Sequence, residues 1–76
     1  MPTVIVKMHT GRDEAAKSKL ADDLFQTMQD ALGVAPTALT IGIEETPRED
    51  WDSKVKSVEI DPRADQMYYL AGKKQK

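Results

Sequence analysis

The chain has 76 residues, no cysteine, a single histidine and a formal charge of −2. Disulfides and thiolate metal sites are excluded, one histidine builds no transition-metal centre, and the lysines and arginines form no stripe with interleaved aromatics that would suit nucleic acid. No uninterrupted apolar run approaches the ~20 residues of a membrane span, and the amino terminus lacks the regions of a secretory signal, so a cytoplasmic protein is expected.

One domain, residues 1–76, is expected from this length. So short a chain buries only about 60% of its unfolded surface, and with no covalent staple available, oligomerisation is the expected source of extra stability. In chain order, the first element is a strand over Thr3 to His9, with Val4, Val6 and Met8 on one side and Ile5, Lys7 and His9 on the other. Gly11 ends it, and Asp13 is the expected N-cap of a helix with Glu14 in its first turn. Ala16, Leu20, Leu24, Met28 and Leu32, joined by Ala21, Phe25 and Ala31, give that helix a wide apolar face, and Gly33 fits its left-handed stop. Leu39 to Glu45 alternates again and predicts a second strand.

Two strands separated by a helix of about twenty residues suit a parallel pair with a crossover. One helix cannot cover both faces of such a sheet, so a second subunit is expected to supply the rest. Beyond it, Pro47 to Lys56 reads as a short helix. Asp61-Pro62 reads as an N-cap followed by proline at the first helical position, opening a segment to about Leu70. Val55, Val58, Ile60, Met67 and Leu70 are its expected buried residues, Tyr68 and Tyr69 packing or rim residues at helical spacing, and Lys73-Lys74-Gln75-Lys76 a frayed, solvated end.

Pro2 is the candidate for chemistry, set against the plain alternative of a proline that merely suits the start of a strand. Initiator methionines are usually trimmed before a small residue, which would leave Pro2 as a free secondary amine. An α-amino group titrates near ~7.7–8.0, and desolvation or a neighbouring cation lowers that value, so a prolyl nitrogen in a dry pocket beside an arginine is a neutral base at cellular pH.

Pro2 leads into an apolar strand, Thr10-Gly11-Arg12-Asp13 follows, and then the helix. This order resembles the 4-oxalocrotonate tautomerase family, in which an amino-terminal proline begins a β-α-β unit and an arginine stands at the strand-to-helix turn. Arg12 falls at that position with no gap from Pro2, and Trp51 falls where the family keeps a hydrophobic wall. Trp51, Val55 and Glu59-Ile60-Asp61-Pro62 resemble the longer members, close to the dimeric phenylenolpyruvate-tautomerase-like ones.

The resemblance implies an α+β fold: a β-α-β unit with parallel strands and short C-terminal helical segments, completed by oligomerisation. It also implies a keto–enol tautomerase without cofactor or metal, acting on a small 2-hydroxy-dienoate or enolpyruvate-type carboxylic acid, in which Pro2 is general base and acid and Arg12 holds the substrate carboxylate. Thr40 stands where the founding type has a second arginine, so a monocarboxylate such as an aryl or alkyl enolpyruvate is expected rather than a diacid, unless Arg48 compensates. Short family members are hexamers and long ones dimers, and a homodimer is expected here with a hexamer as the alternative. Addition of water to an unsaturated or halogenated acid at the same site, and a non-catalytic oligomerising domain, are the competing readings.

Overall fold

The computed structural model describes all residues, 1–76. They divide into two compact units, Met1–Thr46 and Pro47–Lys76.

The first unit is a β-α-β arrangement. Strand β1 is Thr3–His9, helix α1 is Glu14–Leu32 and strand β2 is Thr40–Thr46. The strands pair in parallel with Thr3 opposite Thr40 and His9 opposite Thr46. Parallel pairing requires the chain to return to the starting end of the sheet, and α1 makes that return. It is rich in Ala, Leu, Lys and Gln, with Thr27 its only β-branched residue. Asp13 caps it by accepting the Ala16 amide at 2.9 Å, and Gly33 closes it at φ +66° with its amide on the Gln29 carbonyl.

Alternation assigns the two faces of the sheet. Val4, Val6, Met8, Ile41, Ile43 and Glu45 share one, and Ile5, Lys7, His9, Gly42, Glu44 and Thr46 share the other. On this second face Lys7 and Glu44 stand directly opposite and pair at 3.4 Å. A Cβ on Gly42 would lie 3.1 Å from Ile5 Cδ1, so the isoleucine lies across the glycine. The cover is incomplete. No residue of α1 is fully buried, Leu20, Ala21, Leu24 and Met28 are half-buried, and Ile5, Phe25 and Leu32 remain exposed.

The second unit departs from the expected pair of helices. A 3-10 turn at Arg48–Asp50 leads through Trp51 into Asp52–Ile60, which is π-helical, and a 3-10 segment, Asp61–Gln66, follows. The Asp61 amide bonds the Lys56 carbonyl five residues back, and the Lys56 ammonium reaches the Asp61 carboxylate at 3.2 Å. This bonding packs more residues into each turn than the 3.6 of an α-helix. Trp51, Val55 and Ile60, spaced four and five apart, therefore face inward. Val55 is the buried residue of the chain, at 4% exposure, whereas Val58 is left exposed, contrary to the α-helical spacing.

Asp61 and Pro62 do open a helical segment, but it is 3-10 and continuous with the π-helical turn, whose Lys56 carbonyl takes the Asp61 amide, so that Ile60 rather than Asp61 holds the cap position. The segment ends at Gln66 and does not reach Leu70. Met67 is extended, and Tyr69–Leu70 and Lys73–Lys74 form an antiparallel hairpin of strands β3 and β4. The basic end is accordingly paired rather than frayed: Gln75 donates its amide to the Tyr68 carbonyl at 2.7 Å, and the Lys76 ammonium lies 4.8 Å from the Tyr68 ring centroid. Tyr68 and Tyr69 are both exposed.

The hairpin turns on Ala71 and Gly72, both with positive φ, at 49° and 81°. A two-residue turn of this kind favours Asn-Gly, and a left-handed alanine costs about 1–2 kcal/mol. Ala71→Asn is expected to stabilise the hairpin by up to about 1 kcal/mol, read as slower hydrogen exchange of the Gln75 amide. Faster exchange in the variant would show that the turn is not the weak point.

Candidate active site

Pro2 stands at the mouth of β1, half-buried, and its carbonyl accepts the Thr40 amide at 3.3 Å. Proline tolerates this position because the first residue of a strand can forgo its donor. Thr40 opens β2 beside it, with an exposed side chain. The structure therefore brings Pro2 and Thr40 together.

Arg12 lies beyond the other end. β1 has seven residues between them, and such a strand spans about 20 Å, which an arginine side chain cannot bridge. Within one chain, Pro2 and Arg12 do not meet. Trp51 and Arg48 belong to the second unit, where Trp51 is half-buried at the head of the π-helical segment and Arg48 is exposed. His9 ends β1, half-buried, opposite Thr46.

The turn that carries Arg12 is firmly tied. The Thr10 amide donates to the Thr46 carbonyl at 3.3 Å, Gly11 takes φ +130°, which disfavours any side chain, and Asp13 caps α1. Arg12 itself is exposed and makes no ion pair or side-chain hydrogen bond. Its guanidinium is thus available for a bidentate contact with a carboxylate.

An ion pair beside this turn was not legible as part of the site. Lys17 of α1 places its ammonium 2.6 Å from Glu45 Oε1 of β2 and 3.6 Å from Glu14. The hydrogen bond from Lys17 holds the Glu45 carboxyl below its ordinary range, aided by the Gly11 amide, and the bond to Glu45 raises the Lys17 ammonium above its own. The available signal was Glu45 itself, an acid that ends the apolar alternation of Ile41 and Ile43 on the helix face.

An open groove of about 330 Å³ lies between α1 and β2, lined by Glu14, Lys17, Ser18, Ala21, Ile41 and Ile43. Neither Pro2, Arg12 nor Thr40 borders it, and its one cation is already neutralised by Glu45. The groove is a gap beside the small Ala21 side chain, and the polar chemistry lies elsewhere. No three His, Asp or Glu side chains converge as a metal would require, and no helix is long and apolar enough to cross a membrane.

The family model described as "Tautomerase enzyme" matches residues 1–53, a span that holds Pro2, Arg12, Thr40 and Trp51. A protein of Xylella fastidiosa (strain 9a5c) described as "Probable tautomerase" is 35% identical over 72 residues, covering 95% of this chain and 88% of its own. Among solved structures, TomN, described as a 4-oxalocrotonate tautomerase homologue in the tomaymycin biosynthetic pathway, superposes with a TM-score of 0.63 at 22% identity, over 96% of this chain and 86% of that one. The chain belongs to the tautomerase family and has the tautomerase fold. It is accordingly an isomerase of tautomerase type.

Two outcomes test the geometry. Arg12→Ala is expected to leave stability within about 0.5 kcal/mol of the parent, since the side chain supports nothing in the fold; a larger loss in urea unfolding would give Arg12 a structural role. For the ion pair, the sign follows from each shift. A lowered Glu45 pKa gives stability present above the ordinary carboxylate range and lost as pH falls through the folded value, and a raised Lys17 pKa gives stability present below the ordinary lysine range and lost as pH rises through the folded value. The stability gap between the parent and Lys17→Met should therefore be widest near neutrality and shrink as pH falls below the ordinary carboxylate range. A gap independent of pH would contradict the pairing.

Proposed function

We propose that the mature chain is a cofactor-independent keto–enol tautomerase acting on a small enolpyruvate-type monocarboxylate, with the Pro2 amine as its proton carrier. The observation that carries this reading is the placement of a half-buried Pro2 at one end of β1 and an unpartnered Arg12 at the other. A single copy offers a base without a cation and a cation without a base. Two copies running in opposite directions offer both at each end, so the site is assembled between subunits of a homo-oligomer, a dimer in preference to a hexamer.

In the reaction, the substrate carboxylate docks on Arg12 of the neighbouring subunit through two charge-assisted hydrogen bonds. The neutral Pro2 nitrogen accepts the proton of the enol hydroxyl, the O–H pair becomes part of the C=O bond, and the C=C pair takes the proton back from Pro2 at the adjacent carbon. Arg12 also disfavours protonation of the free amine, which keeps its pKa close to the working pH. Trp51 takes the role of apolar wall from the family resemblance alone. Thr40, beside Pro2, offers only a neutral hydrogen bond, which suits a substrate with one carboxylate rather than two.

The exposed apolar residues favour the same assembly. Covering half-exposed side chains such as Ile5 and Leu32 contributes on the order of 1 kcal/mol each. Light scattering coupled to size-exclusion chromatography should give an oligomer at micromolar concentration, and a folded, fully active monomer would overturn the shared site.

The test of the base is direct. Intact mass should show loss of Met1, and ketonisation of phenylenolpyruvate should survive in part in Pro2→Ala, which keeps a primary amine. One extra residue before Pro2 should abolish turnover without unfolding the chain; undiminished turnover would remove Pro2 from the mechanism. Arg12→Ala should lower kcat/KM by about ten- to a hundred-fold, the cost of a lost hydrogen bond to a charged group.

A further inference from the structure

We infer that Glu45 is a positioning residue for Arg12, tying β2 through Lys17 to the head of the helix that follows it; this rests on the proposed role of Arg12 in holding the substrate carboxylate. Glu45 is the one charged side chain among the sheet residues that face α1, where Val4, Val6, Met8, Ile41 and Ile43 are its companions. It stands at the solvent-exposed end of that face, next to the helix.

Its pairing and that of its neighbour enclose the Arg12 turn. After Arg12, Lys17 links Glu45 to the head of α1: its ammonium is 2.6 Å from Glu45 and 3.6 Å from Glu14, and its amide donates to the Asp13 carbonyl at 3.2 Å. Before Arg12, the Thr10 amide donates to the carbonyl of Thr46, the neighbour of Glu45 in β2, at 3.3 Å. Gly11, at φ +130°, is the most permissive joint in the turn, and Arg12 has no partner of its own to fix it. With the tie removed, Gly11 and Arg12 gain freedom that must be lost again when a carboxylate binds.

Charge and position predict opposite signs. Glu45 is an anion near a cation that binds an anion, so if its charge alone mattered, Glu45→Gln would tighten substrate binding. As a positioning residue, Glu45→Gln should raise KM for phenylenolpyruvate by about two- to ten-fold with little change in kcat, the range that ordering one long side chain carries.

The experiment is a double-mutant cycle on the full chain, with far-UV circular dichroism to confirm folding. The KM effect of Glu45→Gln should vanish in the Arg12→Ala background, and Lys17→Arg should retain parental KM while Lys17→Met should not. An equal effect in both backgrounds, an unchanged KM or a lowered KM would overturn the inference while leaving the role of Arg12 intact. If Arg12→Ala itself left kcat/KM unchanged, the proposed site and the inference would fall together. Should Glu45→Gln not fold, the Lys17→Met and Lys17→Arg pair in the two backgrounds makes the same comparison.

Discussion

The parallel pairing of β1 with β2 is the constraint from which the rest of the first unit follows. Neighbours that run the same way cannot be joined by a tight turn, so the chain must travel back along the sheet, and a 19-residue helix does this while covering one face. The same pairing sets Pro2 and Thr40 at one end and the Gly11-Arg12 turn at the other. The proposed base and the proposed carboxylate-binding cation are thereby kept a strand length apart in each copy. The topology that makes the fold simple makes the proposed site a property of the assembly.

Incomplete burial belongs to the same logic. One helix over two strands leaves Ile5 lying across Gly42, and it leaves Leu32 and Phe25 in solvent. A chain without cysteines has no covalent remedy for this, and surface that is costly in isolation is surface that a second copy can cover. Stability and proposed catalysis then make the same demand.

The first unit was legible in the sequence because its signals are local and agree with one another. The alternation of Val4, Val6 and Met8, the helical spacing of Leu20, Leu24 and Met28, and the Asp13 and Gly33 caps each specify one geometry, and tertiary packing overrides none of them. The helix stripe was read too wide, since Ala16, Phe25 and Leu32 face outward once the two strands are in place. In the second unit the signals conflict. Asp61-Pro62 does open a helical segment, but one continuous with the preceding turn, so Ile60 rather than Asp61 holds the cap position. A 3.6-residue spacing turns Val58 inward, whereas wider bonding turns Ile60 inward. The hairpin was hidden because Ala71 is not a residue that announces a left-handed turn. Of the candidate site, Pro2, Arg12, Thr40 and Trp51 stood out by type and position, and the predicted strand already set Pro2 and Arg12 apart, but the meeting of Pro2 with Thr40 and the Glu45–Lys17 tie depend on register and packing that no local pattern encodes.

The sheet register has a kinetic consequence as well. Every β1–β2 pair, from Thr3 with Thr40 to His9 with Thr46, joins residues the same thirty-seven positions apart, so no short-range contact can begin the sheet and zip outward from a turn. Closing so long a loop is entropically slow in a disordered chain. A helix-forming segment rises only ~1.5 Å per residue, so α1, once formed, replaces half of that loop with a rod about 28 Å long that carries the two strand segments toward alignment. Formation of α1 therefore shortens the search for the sheet register, and substitutions that weaken α1 are expected to lengthen the interval in which unpaired β1 and β2 edges are open to other chains.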